Sequence, residues 1–257
     1  MSQYKDQITG NVLCDIRFDT NKLIDVSNYP IKQYMKPHVS SSYKKFSDNS
    51  MVLTLGTYTY FYKNIFSSFN TKNFTISFWS NLVNATNHNT TGAPNWWTGM
   101  SFIGGPNSAF HIAIDEKGGT TTSYTNIKLD NNNTRTPFGM TNSMVSINTW
   151  HHYAITYNGS NYKMYQNGSL IINGSSTLAL PSLNYIMFVC GSGVASGTIQ
   201  CFDDFVLINN QILWTSNFTV PNYYLTGDHD IHKLSNKHIL RNNSTDLNDY
   251  FDKAFIY

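Results

Sequence analysis

One glutamate and one pair of aspartates bound the acid chemistry open to this chain. Glu116 is the single glutamate among 257 residues, in the turn Asp115-Glu116-Lys117-Gly118-Gly119, and Asp203-Asp204 is the single pair of adjacent aspartates. Retaining glycoside hydrolysis needs two carboxyl groups about 5–5.5 Å apart on one face. Neighbours on a strand point to opposite faces, so Asp203 and Asp204 are poorly placed as an acid/base couple. One of them is expected to bind a loop backbone or a cation. Ser, His and Asp are all present, so composition alone leaves a Ser-His-Asp triad open. No Gly-x-Ser-x-Gly elbow occurs, and Gly191–Gly197 reads as a hairpin turn. No phosphate-binding glycine loop is present. His151 and His152 fall in a strand and are read as packed or solvent-facing side chains rather than metal ligands. These residues argue against an enzyme.

Binding chemistry has more candidates. Asn95, Trp96 and Trp97 sit in the polar loop 86–100. Sugars stack their C–H faces on aromatic rings while amides bond their hydroxyls, so this triplet is the candidate ligand site. The competing reading has one Trp plugging the sandwich edge and the other covering a loop. The Asn-rich segment 130–140 reads as a solvated loop. Asp228, His229, Asp230, His232 and His238 have ligand types suited to a transition metal, with a polar linker as the alternative. Cys14, Cys190 and Cys201 cannot build a disulfide framework. Cys190 and Cys201 flank a Gly-rich turn and could pair; two small buried residues are the other reading.

The elements that must position these residues follow from composition and rhythm. Aromatic residues make up 15% of the chain and charged residues 12%, with Asn, Ser and Thr supplying the polarity. Such side chains suit strands, turns and the open face of a sheet. Short apolar runs alternate with turn clusters over about 12–220, predicting strands at 12–18, 50–55 (extended by 58–62, or with 58–62 as a separate strand), 73–82, 101–105, 110–115 and 122–129, then a hairpin of 150–159 with 161–171, and strands at 169–172, 185–191 and 198–209. Phe74, Ile76 and Phe78 share one face and Thr75, Ser77 and Trp79 the other. Tyr153, Ile155 and Tyr157 likewise oppose His152, Ala154 and Thr156. Asn158-Gly159 and Asn167-Gly168 mark tight hairpins. The fold class is all-β: an antiparallel two-sheet sandwich over 1–225 with a tail over 226–257. The tail lacks strand alternation, and Ser244 or Thr245 could cap a docking helix running to about Ala254.

Net charge is +2, so no strong field recruits nucleic acid or an anionic membrane. No apolar run reaches the roughly 18 residues needed for membrane insertion, and the first ten residues carry no Sec-type apolar stretch.

Three ordered segments resemble the laminin-G-like, concanavalin A-like lectin superfamily. They are Asn73–Trp79, the hairpin Asn148–Ile171 with its Trp150-His151-His152, and Cys201–Pro221. The resemblance covers about 10–221 and implies a jelly roll. Retaining β-glucanases of that kind carry an acid motif with two glutamates, which one glutamate cannot supply. The resemblance also implies a structural Ca²⁺, with Asp203 or Asp204 at the matching acidic position and Asp15 as a neighbour. The ending Asn217-Phe218-Thr219-Val220-Pro221 is similar to the variant often met in bacteriophage structural proteins. That implies a non-enzymatic virion structural or decoration protein, assembled in the host cytoplasm. Its partners would be other virion proteins or cell-surface polysaccharide, with a homo-oligomer possible. A free carbohydrate-binding module, or a polysaccharide hydrolase or lyase, are the alternatives.

Overall fold

The computed structural model describes residues 4–18, 24–25, 27, 31–34, 38–46, 49–54, 56–62, 66, 69, 72–83, 96–105, 108–117, 124–131, 134–141, 146–175, 183–190, 199–226 and 239–241. Strands β1 (Asn11–Arg17), β2 (Ile24–Asp25), β3 (Ile31–Tyr34), β4 (His38–Ser40), β5 (Ser50–Thr54), β6 (Thr57–Tyr62) and β7 (Phe74–Val83) form the first half. Then come β8 (Trp96–Gly105), β9 (Ser108–Lys117), β10 (Tyr124–Asn131), β11 (Thr134–Thr141), β12 (Trp150–Tyr157), β13 (Asn161–Gln166), β14 (Ser169–Ser175), β15 (Tyr185–Cys190), β16 (Ile199–Asn209) and β17 (Ile239–Arg241). Sheet A runs β14-β13-β12-β7-β16-β1-β2, with β5 on β16 and β4 on β5; sheet B runs β11-β10-β9-β8-β15-β6-β3-β17. This is a two-sheet jelly-roll sandwich.

The alternating faces read from the sequence fill its core. Phe74, Ile76, Phe78, Tyr153, Ile155 and Tyr157 of sheet A meet Phe61, Met100, Phe110, Ile112, Ile186 and Phe188 of sheet B. Phe78 stacks on Tyr153 at 5.4 Å across the β7–β12 register, where the two residues pair directly. Cross-strand aromatic pairs of this kind stabilise a sheet beyond their buried area. Cys14, Cys190 and Cys201 are buried free thiols, so the small-residue reading holds. Burial is the main cause that lifts the Cys190 and Cys201 thiols to about 12.

Five readings of the fold need correction. The strands flanking Gly191–Gly197 do not form a hairpin, because β15 lies in sheet B and β16 in sheet A. The segment 130–140 is not one loop: β11 pairs antiparallel with β10, and Lys128 faces Pro137. Pro137 has no amide to donate, and β11 tolerates it because it is the last strand of its sheet. Trp96 and Trp97 open β8 rather than sitting in a loop. Glu116 lies inside β9, not in a turn. The tail adds β17, parallel to β3, through Ile239↔Ile31 and Arg241↔Gln33. Three residues at a sheet edge are too few to show alternation. The expected helix at 244–254 lies outside the described residues. No helix among the described residues is long and apolar enough to cross a membrane.

The hairpin turns fix sheet A's register. Asn167 and Gly168 both take positive φ, 50° and 78°. Asn158 instead keeps a negative φ and lets its Oδ1 accept from the Ser160 and Asn161 amides. A Cβ on Gly168 would lie 2.1 Å from the Phe218 carbonyl oxygen. Gly168→Ala is therefore expected to cost about 2 kcal/mol or more, from steric displacement and a left-handed backbone. Thermal unfolding should show a Tm lower by roughly 4–8 °C; an unchanged Tm would contradict that contact.

Candidate functional site

The outward face of sheet A is covered. Thr75, Ser77, Trp79, His152, Ala154 and Thr156 are all buried. The cover is a strap, 211–226, together with the N-terminal turn around Lys5–Gln7. Tyr4, Trp214, Leu225 and partly buried Ile8, Leu213 and Phe218 pack on Ala154, Tyr165, Val206 and Ile208. Trp214 stacks on Phe218 at 4.2 Å and 11°.

Hydrogen bonds tie the strap strand by strand. Gln211 Oε1 accepts from the Thr9 and Gly10 amides at 2.9 and 2.8 Å. Thr75 Oγ1 donates to the Gln211 carbonyl and accepts from the Leu213 amide, both at 2.9 Å. Lys163 Nζ donates to the Thr215 carbonyl, the Leu170 amide to Asn217 Oδ1, and the Phe218 amide to the Gly168 carbonyl. The Tyr4 hydroxyl donates to the Thr219 carbonyl.

Beneath the end of the strap lies a buried ionic node. Arg17 Nε and Nη2 approach the two oxygens of Asp15 at 3.2 and 3.3 Å. Arg17 Nη2 donates to Thr226 Oγ1 at 2.6 Å, and Thr226 Oγ1 donates to Asp15 Oδ2. The guanidinium also lies 4.1 Å from the centre of the Tyr224 ring. Arg17 is 0% exposed. Burial works against its charge, and Asp15 and Asp204 outweigh burial, so the Arg17 pKa is raised.

Asp203 and Asp204 serve this covered face together, contrary to the expectation of opposite faces. Asp204 takes φ 47°, and the β16–β7 register shifts between Asp203 and Val206. That bulge breaks the alternation. Asp203 Oδ2 accepts from the Lys45 and Phe46 amides, and Oδ1 from the Asp204 amide. Asp204 Oδ2 accepts from the Leu225 amide at 3.1 Å, while its buried Oδ1 has no hydrogen-bond partner among the described residues. Burial first, and the Asp15 charge second, push the Asp204 carboxyl well above the usual carboxylate range.

These acids do not present a calcium ligand set. Calcium takes six to eight oxygens. Here Arg17 occupies Asp15, backbone amides occupy Asp203, and Asp204 offers one oxygen. Among the described residues no group of three or more His, Cys, Asp or Glu side chains is arranged to hold a metal. Asp228, His229, Asp230, His232 and His238 lie outside the described residues.

One Ser–His contact does occur. Ser77 Oγ and His152 Nε2 are 2.9 Å apart, both groups buried. His152 Nδ1 has no hydrogen-bond partner among the described residues, so no carboxylate completes a triad. Rings of Trp79, Trp214 and Phe218 stand edge-on to His152 at 5.3, 5.9 and 5.8 Å. Burial, then the Lys45 charge, lower the His152 pKa to about 3. A neutral, enclosed imidazole has no route to a substrate.

Next to it, His151 Nδ1 accepts from Asn167 Nδ2 at 2.9 Å, and its Nε2 faces the Ser146 carbonyl at 3.2 Å. Both histidines are packing residues. Trp150 packs with Tyr43 and Ile199 on a separate cluster of Val52, Val83 and Cys201.

On sheet B, Trp96 pairs with Lys117 and Trp97 with Glu116. Asn95 lies outside the described residues. The structure thus places Trp96 and Trp97 on sheet B and Asp15, Asp203 and Asp204 on sheet A.

A family model described as the concanavalin A-like lectin/glucanases superfamily matches residues 55–219. The chain belongs to that superfamily. Solved structures agree on the fold. The binding domain of botulinum neurotoxin serotype D matches with a TM-score of 0.63 at 17% identity, over 82% of this chain and 50% of that one. The serotype D ligand-binding domain in complex with N-acetylneuraminic acid gives 0.62 at 16% identity, over 82% and 50%. A type C neurotoxin structure, whose toxin depends on interaction with two ganglioside molecules for cell entry, gives 0.59 at 18%, over 77% and 47%. The chain spans about half the length of these domains. No curated protein matches it in sequence.

Within this lectin-like fold, sequence reasoning missed the strap and the role of Arg17. A signal existed. The outward positions of β7 and β12 hold Thr75, Ser77, Trp79, His152, Ala154 and Thr156, with no Lys, Arg, Asp or Glu. A solvated sheet face ordinarily carries charge, and charged side chains are the ones that resist burial.

Proposed function

We propose that this chain is a non-catalytic, lectin-like module of a virion structural or decoration protein, of bacteriophage type, contacting surface glycans or neighbouring subunits. The observation that carries the non-catalytic reading is the burial of the polar chemistry. Ser77, His152, Asp15, Asp203 and Asp204 are all beneath the strap and loop 43–46, so none is offered to a polymer substrate. Superfamily membership and the glycan ligands of the neurotoxin domains support a sugar-contacting role for the Trp96–Trp97 end of sheet B. The virion part is supported by the phage-like ending Asn217–Pro221, which forms part of the strap that seals sheet A.

Two experiments test the reading. On a glycan array, Trp96→Ala or Trp97→Ala should weaken binding roughly tenfold, the order of one lost ring stack. Equal binding by wild type and both variants would remove the indole pair from the account. Mass spectrometry of purified particles should find the protein; absence from every particle would sink the virion role. Release of sugars from a polysaccharide would overturn the non-catalytic reading.

In the same reading, Arg17 is the cation beside Asp15 and Asp204, two of the acids to which the superfamily resemblance assigns calcium. Thermal unfolding should give the same Tm in EDTA and in millimolar calcium, since binding to the folded state alone would raise it. A calcium-dependent rise would refute the internal-cation account.

A further inference from the structure

Among the described strands, β14 is the one long sheet edge that carries no device against pairing. An edge strand presents unpaired backbone amides and carbonyls, and proteins blunt it by shortness, proline or charge. At the other sheet ends, β2 has two residues and includes Asp25, β17 has three and includes Arg241, and β11 carries Pro137 and Arg135. β4, which pairs with β5 alone, has three residues. β14 ends sheet A with seven residues and no Pro, Lys, Arg, Asp or Glu. β11 lies alongside β14 in contact, without pairing to it. Ser169, Leu170, Asn173 and Ser175 are exposed, and Leu170, at 40%, is the exposed large hydrophobic residue among those described. The strap occupies one outward group, since the Leu170 amide donates to Asn217 Oδ1. The register shift opposite Met164 and Tyr165 leaves Ile172–Ser175 as the regular stretch.

The surroundings of that edge are almost free of charge. Across 146–175 and 210–226, which hold the hairpins and the strap, the one Lys, Arg, Asp or Glu is Lys163, and its Nζ donates to the Thr215 carbonyl. Exposed Asn158, Asn161, Thr215, Ser216, Asn217 and Thr219 supply the polarity. Depletion of charge marks the centre of protein interfaces. It also identifies the partner. Antiparallel pairing of a strand with its own copy sets like residues close together across a two-fold axis. Like charges would oppose that pairing, and β14 has none. We propose that β14 is the docking edge for a second copy of this chain, with antiparallel β14–β14 pairing joining two copies of sheet A into one continuous sheet. Main-chain bonds over so short a stretch, with Leu170 and the strap beside them, make an interface at the small end of the size range and a Kd of roughly micromolar order. The inference goes beyond the glycan and virion readings and depends on neither, so its failure leaves both standing.

The test is sedimentation velocity of the full chain over a concentration series spanning the micromolar range. Wild type should pass from monomer to dimer as concentration rises. Asn173 is exposed and lies near the middle of the regular stretch. Asn173→Lys and Asn173→Asp each bring like charges together near the axis and should weaken the dimer roughly tenfold or more, with the Tm kept. Mixing the two variants brings opposite charges together and should restore a dimer. Hydrogen exchange gives a readout on wild type that no variant's folding can disturb: amides of Ile171–Ser175 should exchange several-fold more slowly in the dimer than in the monomer. Wild type that stays monomeric throughout would overturn the proposal, as would a dimer that both variants form equally well or one that leaves those amides unprotected. Assemblies that keep growing past the dimer would overturn the closed two-fold pairing. Variants that are monomeric alone and stay so when mixed would overturn pairing of β14 with itself.

Discussion

Arg17→Met is expected to destabilise the protein by about 3–5 kcal/mol, the range for breaking a buried ion pair by removing one partner. The guanidinium is the fixed cation between Asp15 and Asp204, and it holds the strap through Thr226 and Tyr224. Without it, two carboxyl groups remain in a desolvated site beside each other. Thermal unfolding should show a fall of roughly 6–20 °C for a domain of this size. Arg17→Lys should recover only part of the loss, because an ammonium cannot reproduce the paired contacts to both oxygens of Asp15. The double variant Arg17→Met with Asp15→Leu should be more stable than Arg17→Met alone, because it removes the orphaned charge along with its partner. If the two losses simply add, the node is not a coupled unit and its role in holding the strap is wrong.

The contrast between what the sequence made legible and what it hid follows from how each feature is encoded. Phe74–Trp79 and Tyr153–Tyr157 alternate because one face meets the other sheet, so parity alone located that core. The NG turns located the hairpins because positive φ is chemically restricted. β11 escaped because Pro137 and Gly139 read as loop residues, and both are tolerated at an edge. Asp204 escaped because period-2 reasoning holds only while the ladder is regular. Its left-handed backbone inserts a bulge and brings two successive aspartates to one side. The strap is of a third kind. It has no period of its own, and it is held by side chains reaching to distant strands, such as Gln211 to Thr9 and Asn217 to Leu170. Contacts of that range leave no local pattern. The nearest trace is the uncharged outward face of β7 and β12.

That same covered face sets the protein's response to acid through His152. Its folded pKa, about 3, lies below its ordinary 6.5, so the neutral ring is the form that folds. Protonation favours the unfolded chain. The contribution is therefore fully present above pH 6.5 and is lost progressively as pH falls from there toward 3. Between pH 7 and pH 5 it amounts to about 2 kcal/mol. Asp204 works in the opposite sense: its raised pKa favours the protonated, folded form and its contribution fades as pH rises. The two are separated by comparing pH profiles of wild type and His152→Gln, since Asp204 is common to both. Denaturant unfolding at each pH should show that the wild-type profile is steeper below pH 6.5, with the difference close to the figure above. Lys45→Met should shift this window only slightly, because burial rather than the neighbouring charge is the larger cause. Parallel profiles would mean that acid opens the strap before the imidazole feels its burial, and the sealed back face would have to be redrawn as a loose one.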